Sequence, residues 1–138
     1  MKWLEYRRLL DGHPPEQCVP QLKDKALLFQ MGKGERYSLP IPEAPPIGEA
    51  WLQFVHLSSA LSGLSVSAHY GDRFIKGLTY ETHSTPLLLC APMDVPFTII
   101  QDEDGTEVLT CKPYTVPATS WNVIVVGEDL LSVRLSFT

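Results

Sequence analysis

The sequence predicts a mainly β protein, a single-domain antiparallel β-sandwich or barrel with a short N-terminal helix. The first observation behind this prediction is a series of short runs, rich in β-branched and aromatic residues, in which apolar and polar residues alternate. The second is the spread of 12 prolines over 138 residues. Because proline is excluded from helix interiors and central strands, this spread favours many short elements joined by rigid turns.

The N-terminal segment carries the helix prediction. Apolar residues recur at helical spacing between Trp3 and Leu10, and an Asp-Gly pair follows as a stop signal. Three prolines then leave little room for regular structure before the first strand. We therefore assign residues 1–20 to a helix and Pro-rich arm and residues 21–138 to the β core, within one domain spanning residues 1–138.

The next segment reads as a hairpin followed by a rigid loop. Residues 22–31 and 36–39 are the expected hairpin arms, joined through a Gly-Lys-Gly sequence. Residues 40–46 contain four prolines. The alternatives to a loop are a polyproline segment offered to an aromatic groove and a domain boundary. No arginine flanks the prolines, and roughly forty residues are too few to fold alone, so a loop within one domain is favoured.

Strand signals are dense in the middle of the chain. Turn residues separate runs in which apolar positions alternate with serine, threonine or histidine. The rival interpretation is a helix over residues 49–61, in which Trp51, Val55 and Leu61 share one stripe. The strands predicted here cover residues 51–58, 64–70, 74–82 and 86–90.

The C-terminal half predicts a hairpin and two further strands. Residues 97–101 and 106–111 flank the turn Asp102–Gly105, whose Asp-Gly pair tolerates the positive φ of a tight turn. Residues 121–126 are apolar on both faces, which indicates a central strand covered on both sides. Residues 131–137 alternate strictly. Their leucines, valine and phenylalanine are expected to face the core, and Ser132, Arg134 and Ser136 the solvent.

Charge and cysteine usage exclude several functions. A net charge of −5 disfavours a hold on nucleic acid, which requires clustered lysine and arginine. Charges interrupt the N-terminal apolar residues, and no run approaches the length of a membrane span, so we expect a cytoplasmic protein with no membrane partner. The three cysteines, Cys18, Cys90 and Cys111, show no metal-ligand spacing. Cys90 and Cys111 lie in apolar runs and are expected to be buried and reduced.

Four histidines raise the question of a metal site. Glu81 and His83 lie two residues apart on a predicted strand and therefore share a face. His56 and His69, on other strands, would join them only if the sheet order allows it. No paired histidine spacing supports a metal, so we predict no metal and no cofactor, and keep His56, Glu81 and His83 as the weak candidates for metal ligands.

A second polar cluster has the residue types of an acid–base site. His69, Tyr70, Asp72 and Arg73 lie around the predicted Gly-Asp turn, and Glu81 and His83 lie at the end of the following strand. Asp72 would orient a histidine as a general base, and Arg73 would hold an anionic substrate. The alternative is an ordinary polar turn, which the Gly-Asp pair explains by itself. Neither a nucleophile motif nor a glycine-rich phosphate loop accompanies the cluster.

These observations favour a non-catalytic protein-binding module, of the kind that neutralises a toxin or acts as an adaptor. The partner would be another protein or a second copy of the chain. The acidic turn residues Asp102, Glu103 and Asp104 are the first surface expected to attract a basic partner. Two alternatives remain open: a small enzyme or ligand-binding barrel that uses the histidine cluster, and a structural subunit of a virion or appendage.

Overall fold

A computed structural model of the chain describes residues 3–15, 19–30, 36–68 and 72–137, apart from the side chains of Cys111 and Lys112. These residues form thirteen strands and no helix. The strands are β1 (Trp3–Arg8), β2 (Val19–Lys23), β3 (Ala26–Gln30), β4 (Arg36–Pro40), β5 (Glu49–His56), β6 (Leu64–Ala68), β7 (Arg73–Leu78), β8 (Thr82–His83), β9 (Leu87–Cys90), β10 (Met93–Gln101), β11 (Glu107–Val116), β12 (Ser120–Val126) and β13 (Leu130–Ser136).

The strands form three sheets. The central sheet has the order β1-β13-β12-β5, and β8 and β9 both pair with the outer side of β5. The second sheet has the order β11-β10-β6-β7, and the small sheet has the order β2-β3-β4. All pairs are antiparallel except β5 and β12, which run parallel from Trp51 opposite Trp121 to His56 opposite Val126. The protein is therefore mainly β, and its described strands form open sheets rather than a closed barrel.

The central sheet is covered on both faces. All seven residues of β12 are buried. On one face, Phe54 and Ile124 join a core with the inward side chains of the second sheet, among them Phe97. On the other face, Trp121 and its neighbours pack against Leu27, Phe29 and Leu39 of the small sheet. The prediction that residues 121–126 form a doubly covered strand is confirmed.

Polar side chains inside these layers are bonded to one another. Gln53 accepts a hydrogen bond from the Trp121 indole at 2.9 Å and donates to the Ser84 carbonyl at 2.7 Å. Between the central and second sheets, the Tyr114 hydroxyl lies 2.6 Å from the Ser132 hydroxyl. Among the described residues, no buried side-chain nitrogen or oxygen lacks a partner, so these groups incur no unpaired desolvation cost.

Two helix interpretations are wrong. The N-terminal segment is not a helix: Trp3–Arg8 is strand β1, which pairs antiparallel with β13 along its whole length. Because β13 offers an open edge, pairing outweighs the helical spacing of a few apolar residues. The rival helix over residues 49–61 is also absent, since β5 pairs with β9 and β12 at that position.

The last strand alternates as predicted, but its second face is not solvent. Leu135 is buried on the small-sheet side. Ser132 is also buried, because the second sheet covers the face that was expected to be exposed. On the same face, Arg134 donates to the Asn122 side-chain oxygen at 2.8 Å and to the Thr115 carbonyl at 2.7 Å. The expectation that Arg134 simply faces water is therefore wrong.

The expected burial of Cys90 is wrong, whereas its expected free thiol is confirmed. Cys90 is exposed and unbridged. It ends β9, an edge strand in which Leu87 and Leu89 pack against the core while the alternate residues point outward. The side chain of Cys111 and the whole of Cys18 lie outside the described residues.

In the described part of the chain, no helix is long and apolar enough to cross a membrane.

The predicted hairpin between residues 97 and 111 is confirmed. Phe97 pairs with Cys111 and Ile100 with Glu107, with one register shift between Ile99 and Ile100. The turn is closed by the Gly105 N–H, which donates to the Gln101 carbonyl at 2.9 Å. Gly105 has the expected positive φ, at 72°.

Substitutions on the two faces of β13 should change the free energy of unfolding differently from what the sequence alone predicts. Leu135→Ala should lower the free energy of unfolding by about 2–5 kcal/mol, because it empties a buried site. Arg134→Ala should lower it by about 1–3 kcal/mol, because its acceptors lose their donor. Urea denaturation measures both, with Arg7→Ala on exposed β1 as the control. Equal, small effects of Arg134→Ala and Arg7→Ala would show that the hydrogen bonds of Arg134 contribute little.

The backbone at residue 105 gives a second stability prediction. Gly105→Val should destabilise the protein by about 1 kcal/mol or more, because a side chain with a Cβ is penalised at positive φ. No atom lies within 4 Å of the Cβ position, so backbone strain and not a clash causes the loss. Glu103→Gln in the same turn is the control and should leave the denaturation midpoint unchanged. A neutral Gly105→Val would contradict the turn geometry.

Candidate functional site

Two of the predicted site residues meet a tyrosine that sequence reasoning missed. In the short edge strand β8, the Nδ1 of His83 lies 2.5 Å from the Tyr37 hydroxyl of β4, and the two groups share a hydrogen bond. Burial raises the pKa of Tyr37, and the negative charge of Glu81 raises it further. The hydroxyl therefore keeps its proton at neutral pH. This contact joins the small sheet to the edge of the central sheet, and it holds His83 with one ring nitrogen occupied.

The side chain of His56 forms its hydrogen bonds with groups other than Tyr37 and His83. Its side chain is completely buried. Its Nε2 lies 2.9 Å from the Ser62 carbonyl, and its Nδ1 accepts from the Ser58 N–H at 3.3 Å. Both ring nitrogens thus hold the turn that follows β5. Among the described residues, no three histidine, cysteine, aspartate or glutamate side chains are grouped as metal ligands would be.

The predicted acid–base cluster is described only in part. His69 and Tyr70 lie outside the described residues. Asp72 is exposed, and its carbonyl accepts from the Ala68 N–H at 2.9 Å, as in an ordinary turn. Arg73 forms an ion pair with Asp102 at 3.3 Å. Arg73 therefore contacts the acidic turn rather than Glu81 or His83 in the contacts that the structure describes.

Two of the three acidic residues predicted to attract a partner are engaged within the chain. Asp102 accepts a hydrogen bond from Ser65 in addition to its ion pair with Arg73. Asp104 accepts from Thr106, and that contact holds the pKa of Asp104 below its usual range. Glu103 is exposed at the same turn. Asp102 and Asp104 thus stabilise the hairpin and its contacts with neighbouring strands.

The most distinctive surface lies at the opposite end of the sheets and was not predicted. Three segments meet there: residues 44–48 before β5, residues 91–93, which link β9 to β10 and include the first residue of β10, and residues 117–119 between β11 and β12. The Ala91 N–H donates to the Gly48 carbonyl and the Thr119 N–H to the Glu49 carbonyl, both at 2.9 Å. We call these three segments together the apolar end.

The apolar end carries no charged residue. Its segments read Ala-Pro-Pro-Ile-Gly, Ala-Pro-Met and Pro-Ala-Thr. Ile47 is fully exposed, with a relative accessibility of 100%, and Met93 is exposed to 43%. Pro46, Pro92 and Ala118 are exposed beside them. The backbone hydrogen bonds bring these exposed apolar residues to the same end of the sheets, and clustered exposed apolar groups mark interaction sites.

The turn that presents Ile47 is fixed by its backbone. The Glu49 N–H donates to the Pro46 carbonyl at 3.1 Å, and Gly48 adopts a φ of 80°, which glycine takes at low cost. The Pro-rich segment before the turn is attached to the central sheet by the Trp51 indole, which donates to the Glu43 carbonyl at 2.8 Å. Ile47 is therefore held outward rather than free to fold back.

The other end of the sheets is acidic. The connections there include residues 9–13, 79–81, 102–106 and 127–129. Backbone hydrogen bonds join several of them to neighbouring strands, for example Leu9 to Leu130 and Glu81 to His56. The carboxylates carried by these connections are Asp11, Glu81, Asp102, Glu103, Asp104, Glu128 and Asp129. The molecule thus concentrates carboxylates in the connections at one end, whereas the three segments of the apolar end carry none.

Comparisons with known proteins assign no relatives. No family model matches the chain, and neither a curated protein nor a solved structure shows significant similarity to it.

The Tyr37–His83 contact gives a prediction for alkaline pH. Because the folded state raises the pKa of Tyr37, it binds the hydroxyl proton more tightly than the unfolded chain does, and stability should fall as the pH rises above about 10. Tyr37→Phe removes this titration. The stability advantage of the wild type over Tyr37→Phe should therefore shrink between about pH 8 and about pH 11 in urea titrations.

The matched control for this prediction is Tyr6→Phe, which removes a hydroxyl from exposed β1. If the difference between the wild type and Tyr37→Phe stays constant across this pH range, or if Tyr6→Phe reproduces its change, the environment assigned to Tyr37 is incorrect.

Proposed function

We propose that the protein is a non-catalytic protein-binding module that contacts its partner through the apolar end. The observation that carries this proposal is Ile47, a fully exposed branched aliphatic side chain on a hydrogen-bonded turn. An aliphatic side chain held in water costs free energy that burial against a partner recovers. Because the turn is already ordered, little conformational entropy is lost when the side chain docks.

The composition of the apolar end supports a protein as the partner. The centres of protein interfaces are depleted of charged residues and enriched in methionine and aromatic groups, while their rims are polar. Here Ile47 and Met93 lie among prolines and alanines, and the nearest charged residues, Glu43, Glu49 and Asp94, flank the segments. A surface of this kind, held by hydrogen-bonded turns, fits an apolar depression on another protein.

The experiment places a photo-crosslinking residue at position 47 and, separately, at position 10. Leu10 is the matched control, because it is an aliphatic residue exposed to 74% at the acidic end. Irradiation in host cells followed by mass spectrometry should identify a partner crosslinked from position 47 but not from position 10. Crosslinking to a second copy of the chain would instead favour the alternative of a structural subunit.

Binding of the identified partner then tests the surface quantitatively. Ile47→Asp should weaken the affinity by about thirty-fold or more, as expected for a side chain at the centre of an interface. Leu10→Asp should leave the affinity within about two-fold of wild type. Both variants should keep the wild-type melting temperature, since both side chains are exposed. Equal losses for the two variants, or none for Ile47→Asp, would refute the apolar end as the docking surface.

A further inference from the structure

Strand β1 is an unprotected edge of the central sheet. It pairs with β13 over Trp3–Arg8 without a register shift, and it is the last strand in the sheet order. No second strand pairs with β1 among the described residues. An open edge of this kind presents unpaired N–H and C=O groups to any extended chain that approaches it.

The backbone groups that face the open side can be assigned. The Leu9 N–H donates to the Leu130 carbonyl of β13, whereas the Arg8 N–H donates to the His13 carbonyl on the far side, at 2.7 Å. In an antiparallel pair these directions alternate along the strand. The N–H and C=O groups of Leu4 and Tyr6 therefore point away from β13, as those of Arg8 do.

The open edge has a defined end. The Gly12 N–H donates to the Arg8 carbonyl at 2.8 Å, so the turn after β1 satisfies both outward groups of Arg8. An added strand would pair with Leu4 and Tyr6 and stop before Arg8. The available stretch of β1 is short. The side chains of an added strand must therefore be compatible with the β1 residues between Leu4 and Arg8.

The other edge strands carry the features that proteins use against added strands, such as proline, bulges and short length. Strand β8 has two residues, and β7 has register shifts along its pairing with β6. Prolines occur in or directly after the rest. These positions are Pro20 in β2, Pro40 in β4, Pro92 after β9 and Pro113 in β11. Strand β1 has none of these features.

The charges of β1 distinguish between two occupants. A two-fold pair of β1 strands with Tyr6 opposite Tyr6 would match Glu5 with Arg7, but it sets Leu4 opposite Arg8, whose outward groups are already bonded, so only Tyr6 would contribute hydrogen bonds. A two-fold pair that bonded Leu4 of one copy to Tyr6 of the other would place Glu5 opposite Glu5. Like charges directly opposite each other are destabilising. A heterologous strand avoids this conflict if it carries a cation opposite Glu5 and a carboxylate opposite Arg7. Both side chains are exposed on the same face of β1. Glu5 also forms an ion pair with Arg134 of β13 at 3.8 Å, but its side chain remains 48% exposed and can face an added strand.

We infer that the β1 edge binds an extended segment of another protein as an added antiparallel strand, with a basic residue opposite Glu5 and an acidic residue opposite Arg7. Main-chain hydrogen bonds to Leu4 and Tyr6 supply affinity, and the two charge pairs supply specificity. This surface is separate from the apolar end, so the inference does not depend on the proposed function.

The probe is the synthetic peptide Thr-Val-Glu-Val-Lys-Val-Thr, whose antiparallel register puts glutamate opposite Arg7 and lysine opposite Glu5. The control peptide exchanges the glutamate and the lysine. The first peptide should bind about five-fold more tightly than the second. In amide hydrogen exchange, it should protect the amides of Leu4 and Tyr6, whereas those of Glu5 and Arg7 already donate to β13 and should change little.

A proline substitution tests the hydrogen bonds themselves. Tyr6→Pro removes an N–H that makes no bond within the sheet, so the fold should survive while peptide binding is lost. Tyr6→Ala removes the same side chain but keeps the N–H, and should retain binding. If Tyr6→Pro fails to fold, the double variant Glu5→Lys/Arg7→Glu decides, because it exchanges both charges of β1 and should reverse the preference between the two peptides.

Several results would overturn the inference. They are no binding at millimolar peptide, binding without protection of Leu4 and Tyr6, or equal binding by Tyr6→Pro and Tyr6→Ala when both fold. Ile47→Asp serves as the control that separates the two surfaces, since it should leave peptide binding unchanged whatever the outcome for the apolar end.

Discussion

The rest of the structure depends on the double burial of β12. A strand with large apolar side chains on both faces must lie inside a sheet that is covered twice. The second sheet supplies one cover, and the small sheet of β2–β4 supplies the other. The short N-terminal strands are thus needed to shield Trp121 and Val123. Polar atoms trapped in these layers must be paired, and the bond from Trp121 to Gln53 does this across the β12–β5 pair.

The parallel pairing of β5 with β12 explains why the apolar end exists. Parallel neighbours begin at the same end of a sheet, so the segments that lead into both strands lie side by side. The chain also crosses between the central and second sheets at this end, from β9 to β10 and from β11 to β12. Three connections far apart in sequence are brought together, and the bonds from Ala91 to Gly48 and from Thr119 to Glu49 join them.

The sequence predicted most strands because their patterns are local. The hairpin around Gly105 and the buried strand at residues 121–126 followed from turn chemistry and apolar content alone. The predictions were wrong where contacts with a neighbouring strand or sheet determine the local structure. Residues 3–8 form a strand because β13 offers an edge, and Ser132 is buried because a second sheet covers it. The structure has thirteen strands where the sequence predicted ten, because Trp3–Arg8 is a strand and not a helix, residues 19–30 form two strands, and Thr82–His83 is separate from β7.

The candidate surfaces could be predicted even less well. The histidine and aspartate candidates were chosen by residue type, yet the bonds of His56 and Asp102 hold turns within the fold. The apolar end had only a weak sequence signal: three connections that contain proline and lack charge. Nothing in a single sequence shows that such connections meet, because their meeting depends on strand order. The outward direction of the Leu4 and Tyr6 amides likewise follows only from the pairing of β1.

The difference between the two ends limits how copies of the protein can assemble. Head-to-tail stacking would place the uncharged surface around Ile47 against the carboxylates at the acidic end, such as Glu103 and Glu128. Those carboxylates would lose water without gaining a cation or a hydrogen-bond donor from the apolar end, which is costly. Heterologous contacts of that kind are the ones that build filaments. Stacking of this kind is therefore disfavoured, which agrees with the proposal that the apolar end docks against a different protein surface.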